Sequence, residues 1–201
     1  ERLTVARINL IELYHFTGNF RKGLAVSDQT VSQSREVRYR FGVGLGMRYR
    51  TLMLTDIGRF SEAMDNALAS LKIHQEMETR EDELASLVVA CRAGLAQGTY
   101  DEVEPMLDAA TNLLDDYDTE GFAPVVHAWR ARLYAKQGRM SEACDAVELA
   151  GQVETRPWPG QRARTNLNLA RAYLMMDAPE QALHLTEEAL RLADSSGYRH
   201  Y

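Results

Sequence analysis

The sequence of 201 residues is poor in several features that define common classes of protein. It has only 2 cysteines and 5 prolines, which argues against a disulfide framework and favours long helices. No run approaches about 18 uncharged apolar residues, so the sequence predicts no membrane span and no membrane partner. No basic start followed by an apolar core is visible, which excludes a recognisable secretory signal and indicates a cytoplasmic protein.

The two cysteines, Cys91 and Cys144, lie among apolar neighbours within helical patterns. We expect both to be small buried core residues in a reducing compartment, with a disulfide or a reactive thiol as the alternative. The sequence begins with Glu1 rather than methionine. We therefore interpret it as a piece of a longer protein.

The net charge of −6 is unevenly distributed along the chain. Residues 1–60 carry ten basic and five acidic side chains, residues 61–120 carry three and fifteen, and residues 121–201 carry ten and nine. This acidic middle argues against a nucleic-acid-binding surface that runs the length of the chain.

Motifs for catalysis and for metal binding are also missing. The glycines between Gly42 and Gly46 lack the lysine and hydroxyl residue of a phosphate loop, and their one-turn spacing instead predicts close helix packing. The five histidines show no ligand spacing, and no nucleophile–base pair is visible. We therefore expect no enzyme activity, no metal and no cofactor. Two acidic clusters are expected to be solvated: Glu76, Glu78, Glu81, Asp82 and Glu83, and then Asp115, Asp116 and Asp118.

What the sequence does contain is an internal repeat. Glycines followed two residues later by Phe, Tyr or Met recur at one constant interval, and a fifth mark comes one place early: Gly18, Gly58, Gly98, Gly138 and Asp177. Each of these turn marks separates an apolar helical pattern from an amphipathic one, as in Leu167 to Met176 followed by Ala182 to Leu192.

The residues around the turn marks predict how the helices end and begin. A glycine suits the left-handed residue that closes a helix. Ser61, Asp101 and Ser141 are expected to cap the helices that follow, and Pro179 suits a first helical turn.

Counting from the turn mark shows which side chains face each other. Residues seven before and five after it are mostly small, whereas tyrosine recurs four before it, at Tyr14, Tyr134 and Tyr173. Small residues let the two helices of a hairpin approach closely, and the aromatic residues fill the space between hairpins. The second and third copies depart from the pattern, with Leu54 and Gly94 at the tyrosine position.

The clearest copy is Leu169-Ala170-x-x-Tyr173 followed by Glu180-Gln181-Ala182-Leu183, which resembles a tetratricopeptide repeat. The resemblance covers nearly the whole chain. It implies an all-α, right-handed α-solenoid of stacked antiparallel helical hairpins that forms a single domain over residues 1–201. Five hairpins are expected at approximately 1–38, 39–79, 82–118, 122–155 and 161–195, with a sixth begun at Asp194. The period exceeds the usual 34 or so residues. That longer form is similar to repeats of MalT-like bacterial regulators and to those attached to bacterial signalling kinases, cyclases and ATPases.

The resemblance also implies that the first helices line a concave groove. Three arginines stand six residues before successive turn marks, at Arg92, Arg132 and Arg171, about 10 Å apart if hairpins pack at the usual spacing. Leu52 shares that row, and Arg164 lies near it. One turn away are Arg48, Val88, Ala128 and Leu167. These nine residues are the candidate ligand contacts. The alternative is that the arginines are solvated or pair with acidic residues of neighbouring helices.

The two tryptophans receive different predictions. Trp158 lies between Pro157 and Pro159, where it is expected to fold back as a lid over the core or, alternatively, to serve as an exposed anchor. Trp129 falls within a first helix and is expected to be a core residue.

The expected function is that of a protein- or peptide-binding domain within a larger bacterial signalling or transcription-regulatory protein. The predicted partner is a peptide or protein segment with carboxylates, because guanidinium groups pair well with them. The alternatives are a structural segment that associates with further copies of itself and a small-molecule-sensing domain of a MalT-like regulator.

Overall fold

A computed structural model describes residues 2–119, 121–152 and 159–196. Ten helices and no strand occur in these ranges, and consecutive helices pack as antiparallel hairpins, in agreement with the predicted all-α fold. The helices are α1 (Arg2–Phe16), α2 (Phe20–Glu36), α3 (Arg40–Asp56), α4 (Phe60–Glu76), α5 (Arg80–Gln97), α6 (Tyr100–Tyr117), α7 (Ala123–Lys136), α8 (Met140–Gln152), α9 (Pro159–Met175) and α10 (Pro179–Ser196). Compared with the expected ranges, α5 and α9 each begin two residues earlier.

The chain divides into two compact units, residues 1–109 and 110–201. In the first unit, α1 packs on α2 and α3, and α3 packs in turn on α4 and α5. In the second unit, α7 packs on α8 and α9, and α9 packs on α10. The first helices α1, α3 and α7 therefore each contact their own partner and the first helix of the next hairpin, as expected for stacked repeats.

The turns follow one geometry. Gly18, Gly58, Gly98 and Gly138 adopt the left-handed conformation, as predicted. In the first turn, the amide of Asn19 donates to the carbonyl of Tyr14 over 2.8 Å, which is the Schellman arrangement. The turns after α2 and α4 repeat it, with Arg38 and Glu78 left-handed (φ 55° and 56°). A left-handed residue thus follows each of the first four helices. These residues recur at half the interval of the glycines, because every second one is not a glycine.

The predicted helix caps were wrong. Helix α4 begins at Phe60, its N-cap is Arg59, and no side chain caps it. Ser61 is therefore already inside the first turn, and Asp101 and Ser141 occupy the same second helical position of α6 and α8. The physical reason is that the Schellman turn leads directly into the next helix, so that each helix begins two residues earlier than a cap by the hydroxyl or carboxyl group would place it. Pro179 does stand at the first position of α10, as predicted.

The two columns that face each other within a hairpin have complementary sizes. A Cβ placed on Gly23 lies 3.3 Å from Cβ of Tyr14, so the smallest residue faces an aromatic one. In the third hairpin the sizes are exchanged, because Gly94 faces Val103, the largest residue in its column. The apparent degeneracy of this copy is therefore compensated within the same hairpin.

The exposure of individual side chains tests several predictions about core residues. Cys91 is buried, but Cys144 is exposed on α8, so the prediction of two buried thiols was wrong for Cys144. Trp129 is buried, as expected. A Cβ on Gly46 lies 2.8 Å from Val31, which confirms close packing of the glycine-rich helix. Trp158 and residues 197–201 of the expected sixth hairpin lie outside the described residues, and Asp194 belongs to α10.

Candidate functional site

The candidate contacts lie on one surface of the first helices, here called the first-helix face. It comprises the residues ten, six and three places before each turn mark, together with the side chains that contact them. Because the two units are separate bodies, the face is described within each unit by itself.

In the first unit, the arginines of this face contact carboxylates of a neighbouring helix. Arg48 donates to Asp82 over 3.2 Å, and Arg92 is paired with Asp56. Asp56 also contacts Nε2 of His15 at 2.7 Å, so one carboxylate connects the first three hairpins. The three side chains are only 13–16% exposed, so the attraction between Arg92 and Asp56 is stronger than that of a pair at the surface.

The other residues of the face in the first unit are apolar or contact the side chain of Tyr49. Val88 is buried and Leu52 is partly buried. The hydroxyl of Tyr49 donates to Glu12, and the guanidinium of Arg48 lies 5.3 Å from the centre of the Tyr49 ring. The alternative interpretation of paired arginines thus describes Arg48 and Arg92.

In the second unit, the face gathers three arginines on two packed helices. Arg132 of α7 contacts Oδ1 of Asn168 over 3.5 Å, a long hydrogen bond to a neutral group. Arg164 and Arg171 flank Asn168 along one side of α9, and Arg171 is exposed. Asn168 is fixed in place because its amide donates to the carbonyl of Arg164 over 2.9 Å. Ala128 is buried, and Leu167 is partly buried.

Three functional candidates escaped the sequence pattern. Asp56 and Asp82 pair with arginines of adjacent hairpins, and Asn168 contacts Arg132. None of them lies in the same helix as its partner, so no spacing of three or four residues marks the pair. The sequence indicates such pairs only in general terms, because an arginine row beside acidic helices is compatible with neutralisation by residues of neighbouring helices.

The first acidic cluster is partly engaged in ion pairs, whereas Asp118 of the second accepts from the backbone amides of Phe122 and Ala123. Asp82 pairs with Arg48, Glu83 with Arg80, and Glu76 with Arg40. Glu83 is buried, so the expectation that the whole first cluster is solvated was wrong for that residue. Among the described residues, no group of His, Cys, Asp and Glu is arranged to hold a metal ion.

His74 is a buried titratable group beside the Arg48–Asp82 pair. Its Nδ1 lies 3.0 Å from the hydroxyl of Thr79, and its ring meets Phe41 edge-on. Burial lowers the pKa of His74; the nearby carboxylate of Asp82 opposes that shift, and Arg48 adds to it. Burial also lowers the pKa of His127 in the second unit. Both imidazoles are therefore neutral in the folded protein at neutral pH.

These neutral histidines predict acid destabilisation. A folded-state pKa below the usual 6.5 means that the unfolded chain binds protons first as the pH falls. The stability is therefore full above about pH 6.5 and is lost progressively as the pH falls towards the folded-state pKa. In urea unfolding at a series of pH values, the free energy of unfolding should fall less steeply with decreasing pH for His74→Gln than for the wild type. His184→Asn, which alters an exposed histidine, is the control and should behave like the wild type. If the free energy of unfolding depends on pH equally in all three proteins, burial of a neutral His74 does not cause the acid destabilisation.

Comparison with known proteins gives the fold a clear precedent. One solved structure, a Podosopora anserina protein described as a kinesin light chain with nearly identical TPR-like repeats, is 20% identical over 94% of this chain and 95% of that chain, with a TM-score of 0.67. A variant of the same protein gives 18% identity, coverage of 96% and 95%, and a TM-score of 0.68. The fold is that of TPR-like repeats. No family model and no curated protein sequence matches the chain.

The TPR-like fold is commonly a protein-interaction scaffold. Its hairpins bury their apolar faces on one another and leave the opposite surface for a partner. None of the described helices is both long enough and apolar enough to cross a lipid bilayer.

Proposed function

We propose that this chain is a protein- or peptide-binding domain of a cytoplasmic bacterial signalling or transcription-regulatory protein. The long repeat period and its resemblance to MalT-like regulators support that context. The ligand we propose is an extended or helical segment with carboxylates, bound on the first-helix face of the second unit.

The observation that carries this proposal is the arginine group formed by Arg132, Arg164 and Arg171. Arg132 meets a neutral amide oxygen at 3.5 Å, so a ligand carboxylate offers it a shorter, charge-assisted bond. Leu167 is only partly buried and offers apolar surface on the same face for the carbon atoms of a peptide, whereas Ala128 is buried beneath that face. In the first unit, a ligand must compete with Asp56 for Arg92 and with Asp82 for Arg48. We propose Arg92 and Arg48 as secondary contacts.

Binding of a fluorescein-labelled peptide that alternates glutamate and leucine tests the proposal by fluorescence anisotropy. Each charge-assisted bond contributes about 1.5–3 kcal/mol, so Arg132→Ala together with Arg171→Ala should weaken binding at least tenfold or so. Added salt should weaken wild-type binding as well.

Arg191→Ala is the matched control, because it removes an exposed arginine from the second helix of the same hairpin. It should leave the affinity within about twofold of the wild type. If the double variant binds the peptide as the wild type does, the ligand does not occupy the first-helix face of the second unit.

A further inference from the structure

A cavity of about 440 Å³ lies between the first two hairpins, and it is here called the α2–α4 cavity. Its described lining residues belong to α2, α3 and α4, and further helices precede and follow these three within the first unit. The cavity is therefore an internal feature of the stack. None of the described residues that line it belongs to the first-helix face, and its size is within the usual range for a small-molecule site.

The same position between the second and third hairpins is filled by apolar side chains. Arg50 stands eight places before its turn mark, and its counterpart in the third hairpin, Ala90, is 0% exposed. Asn66 stands eight places after the same turn mark, and its counterpart Met106 packs against the apolar cluster that contains Ala90. The first two hairpins thus carry polar groups and a cavity where the next pair carries apolar packing. A local departure of this kind from the pattern of a fold is expected at functional sites.

The guanidinium of Arg50 offers the strongest ligand contact in the α2–α4 cavity. Its Nε donates to Oδ1 of Asp28 over 2.8 Å, and its side chain is 20% exposed. This bond fixes the guanidinium against α2. No other described residue accepts from Arg50, so its two Nη atoms can donate to both oxygens of one ligand carboxylate.

The charges along the cavity cancel. Its described lining holds two arginines and two carboxylates, which are Arg35, Arg50, Asp28 and Glu36. Asp28 is 61% exposed and keeps Oδ2 for a ligand, because Arg50 donates to its Oδ1. A ligand with a single charge is attracted by one pair of these residues and repelled by the other. A ligand with one positive and one negative group is matched by both pairs, which favours a zwitterion.

The apolar part of the lining favours an aliphatic ligand group. Val31 of α2 is 9% exposed, Met47 of α3 is partly buried, and both line the cavity. Met47 is unbranched and flexible, so its side chain adapts to apolar groups of different shape. Charged and apolar groups therefore meet in one cavity of small-molecule size.

We infer that the α2–α4 cavity binds a free α-amino acid with an aliphatic side chain. The ligand carboxylate binds Arg50, with Arg35 as a second, exposed cation, and the ligand ammonium binds Asp28. The ligand side chain contacts Val31 and Met47. Because this cavity lies in the first unit and the proposed peptide site lies in the second, either binding activity can exist without the other.

Isothermal titration calorimetry with L-leucine tests the inference on the whole chain. We expect saturable binding at one site. L-Leucinamide lacks the carboxylate and 4-methylpentanoate lacks the ammonium, so each loses one charge-assisted contact and should bind at least about tenfold more weakly. The Asp28→Asn variant should bind L-leucine more weakly, since the ammonium loses its carboxylate partner, but should not lose affinity for 4-methylpentanoate.

Two further variants place the ligand in the cavity. Arg50→Met removes the guanidinium and should weaken L-leucine binding at least about tenfold. Asn66→Met copies the methionine found at this position of the next hairpin, so it should fill the cavity and abolish binding. Arg40→Met is the matched control, because Arg40 also lies on α3 and pairs with Glu76 of α4 but does not line the cavity. The control should bind L-leucine like the wild type, and circular dichroism verifies that each variant is folded.

Three results would overturn the inference. The first is that L-leucine, L-isoleucine, L-valine and L-methionine all fail to bind the wild type saturably up to about 10 mM. The second is unchanged L-leucine binding by folded Arg50→Met or Asn66→Met, which would place the ligand outside the cavity. The third is an equal loss of affinity for L-leucine and 4-methylpentanoate in Asp28→Asn, which would exclude recognition of the ammonium.

Discussion

Replacing Asp56 with alanine should lower the free energy of unfolding by about 2–4 kcal/mol. Asp56 contacts both His15 and Arg92, and all three side chains are less than a sixth exposed. Removing the carboxylate leaves the guanidinium of Arg92 largely shielded from water and without the counter-charge of Asp56. Loss of one partner of a shielded ion pair is far more costly than loss of a surface pair. Urea unfolding measures the change, and the slope with urea concentration should stay constant.

Glu62→Ala is the matched control for Asp56→Ala. Glu62 pairs with Arg59, and these side chains are 46% and 49% exposed, so its loss should cost less than about 0.5 kcal/mol. Adding Arg92→Met to Asp56→Ala should restore part of the lost free energy of unfolding, because the uncompensated charge of Arg92 is then removed as well. A double-mutant cycle measures this coupling. Equal effects of Asp56→Ala and Glu62→Ala would show that the link between the first three hairpins contributes nothing.

The Gly44→Ala substitution should destabilise the first unit by about 1–3 kcal/mol. A Cβ at this position lies 2.6 Å from Nε2 of His74, which is fully buried. The ring has little freedom to withdraw, since Thr79 holds its Nδ1 and Phe41 meets it edge-on. Helices α3 and α4 must therefore move apart to accept the methyl group. Thermal and urea unfolding both report this loss.

Gly151→Ala should instead increase the free energy of unfolding, and it serves as the control for Gly44→Ala. A Cβ on Gly151 meets nothing within 4 Å, and alanine is the better helix former. This variant should gain about 0.5–1 kcal/mol. A neutral Gly44→Ala variant would mean that the spacing of α3 and α4 is not set by the glycine.

The fold was predictable because its evidence recurs along the chain. The left-handed turns at the four glycines, the hairpin arrangement and the buried Trp129 all followed from the repeat. The caps at Ser61, Asp101 and Ser141 were misjudged, since the Schellman turn starts each helix two residues earlier. The exchange of sizes between Gly94 and Val103 was not foreseen, because it requires knowing that the two columns face each other.

For the candidate site, the sequence predicted which residues lie on the first-helix face but not which side chains they contact. The arginine row marks the first-helix face, but the sequence does not determine which acidic residue reaches it. Asp56 meets Arg92 because stacking brings two hairpins into register, and that register is a property of packing rather than of spacing within one helix. The same applies to Asn168 beside Arg132.

The left-handed residue that follows each of the first four helices, at Gly18, Arg38, Gly58 and Glu78, has an evolutionary consequence. A duplication or deletion of one whole repeat keeps every helix in its role and only changes the number of hairpins. Loss of a single helix and its turn would leave an equally smooth backbone path, yet every later first helix would become a second one. The turns would tolerate that change, but the small and aromatic columns would then face the wrong neighbours. Growth of such a chain is therefore restricted to whole hairpins by its side chains and not by its backbone.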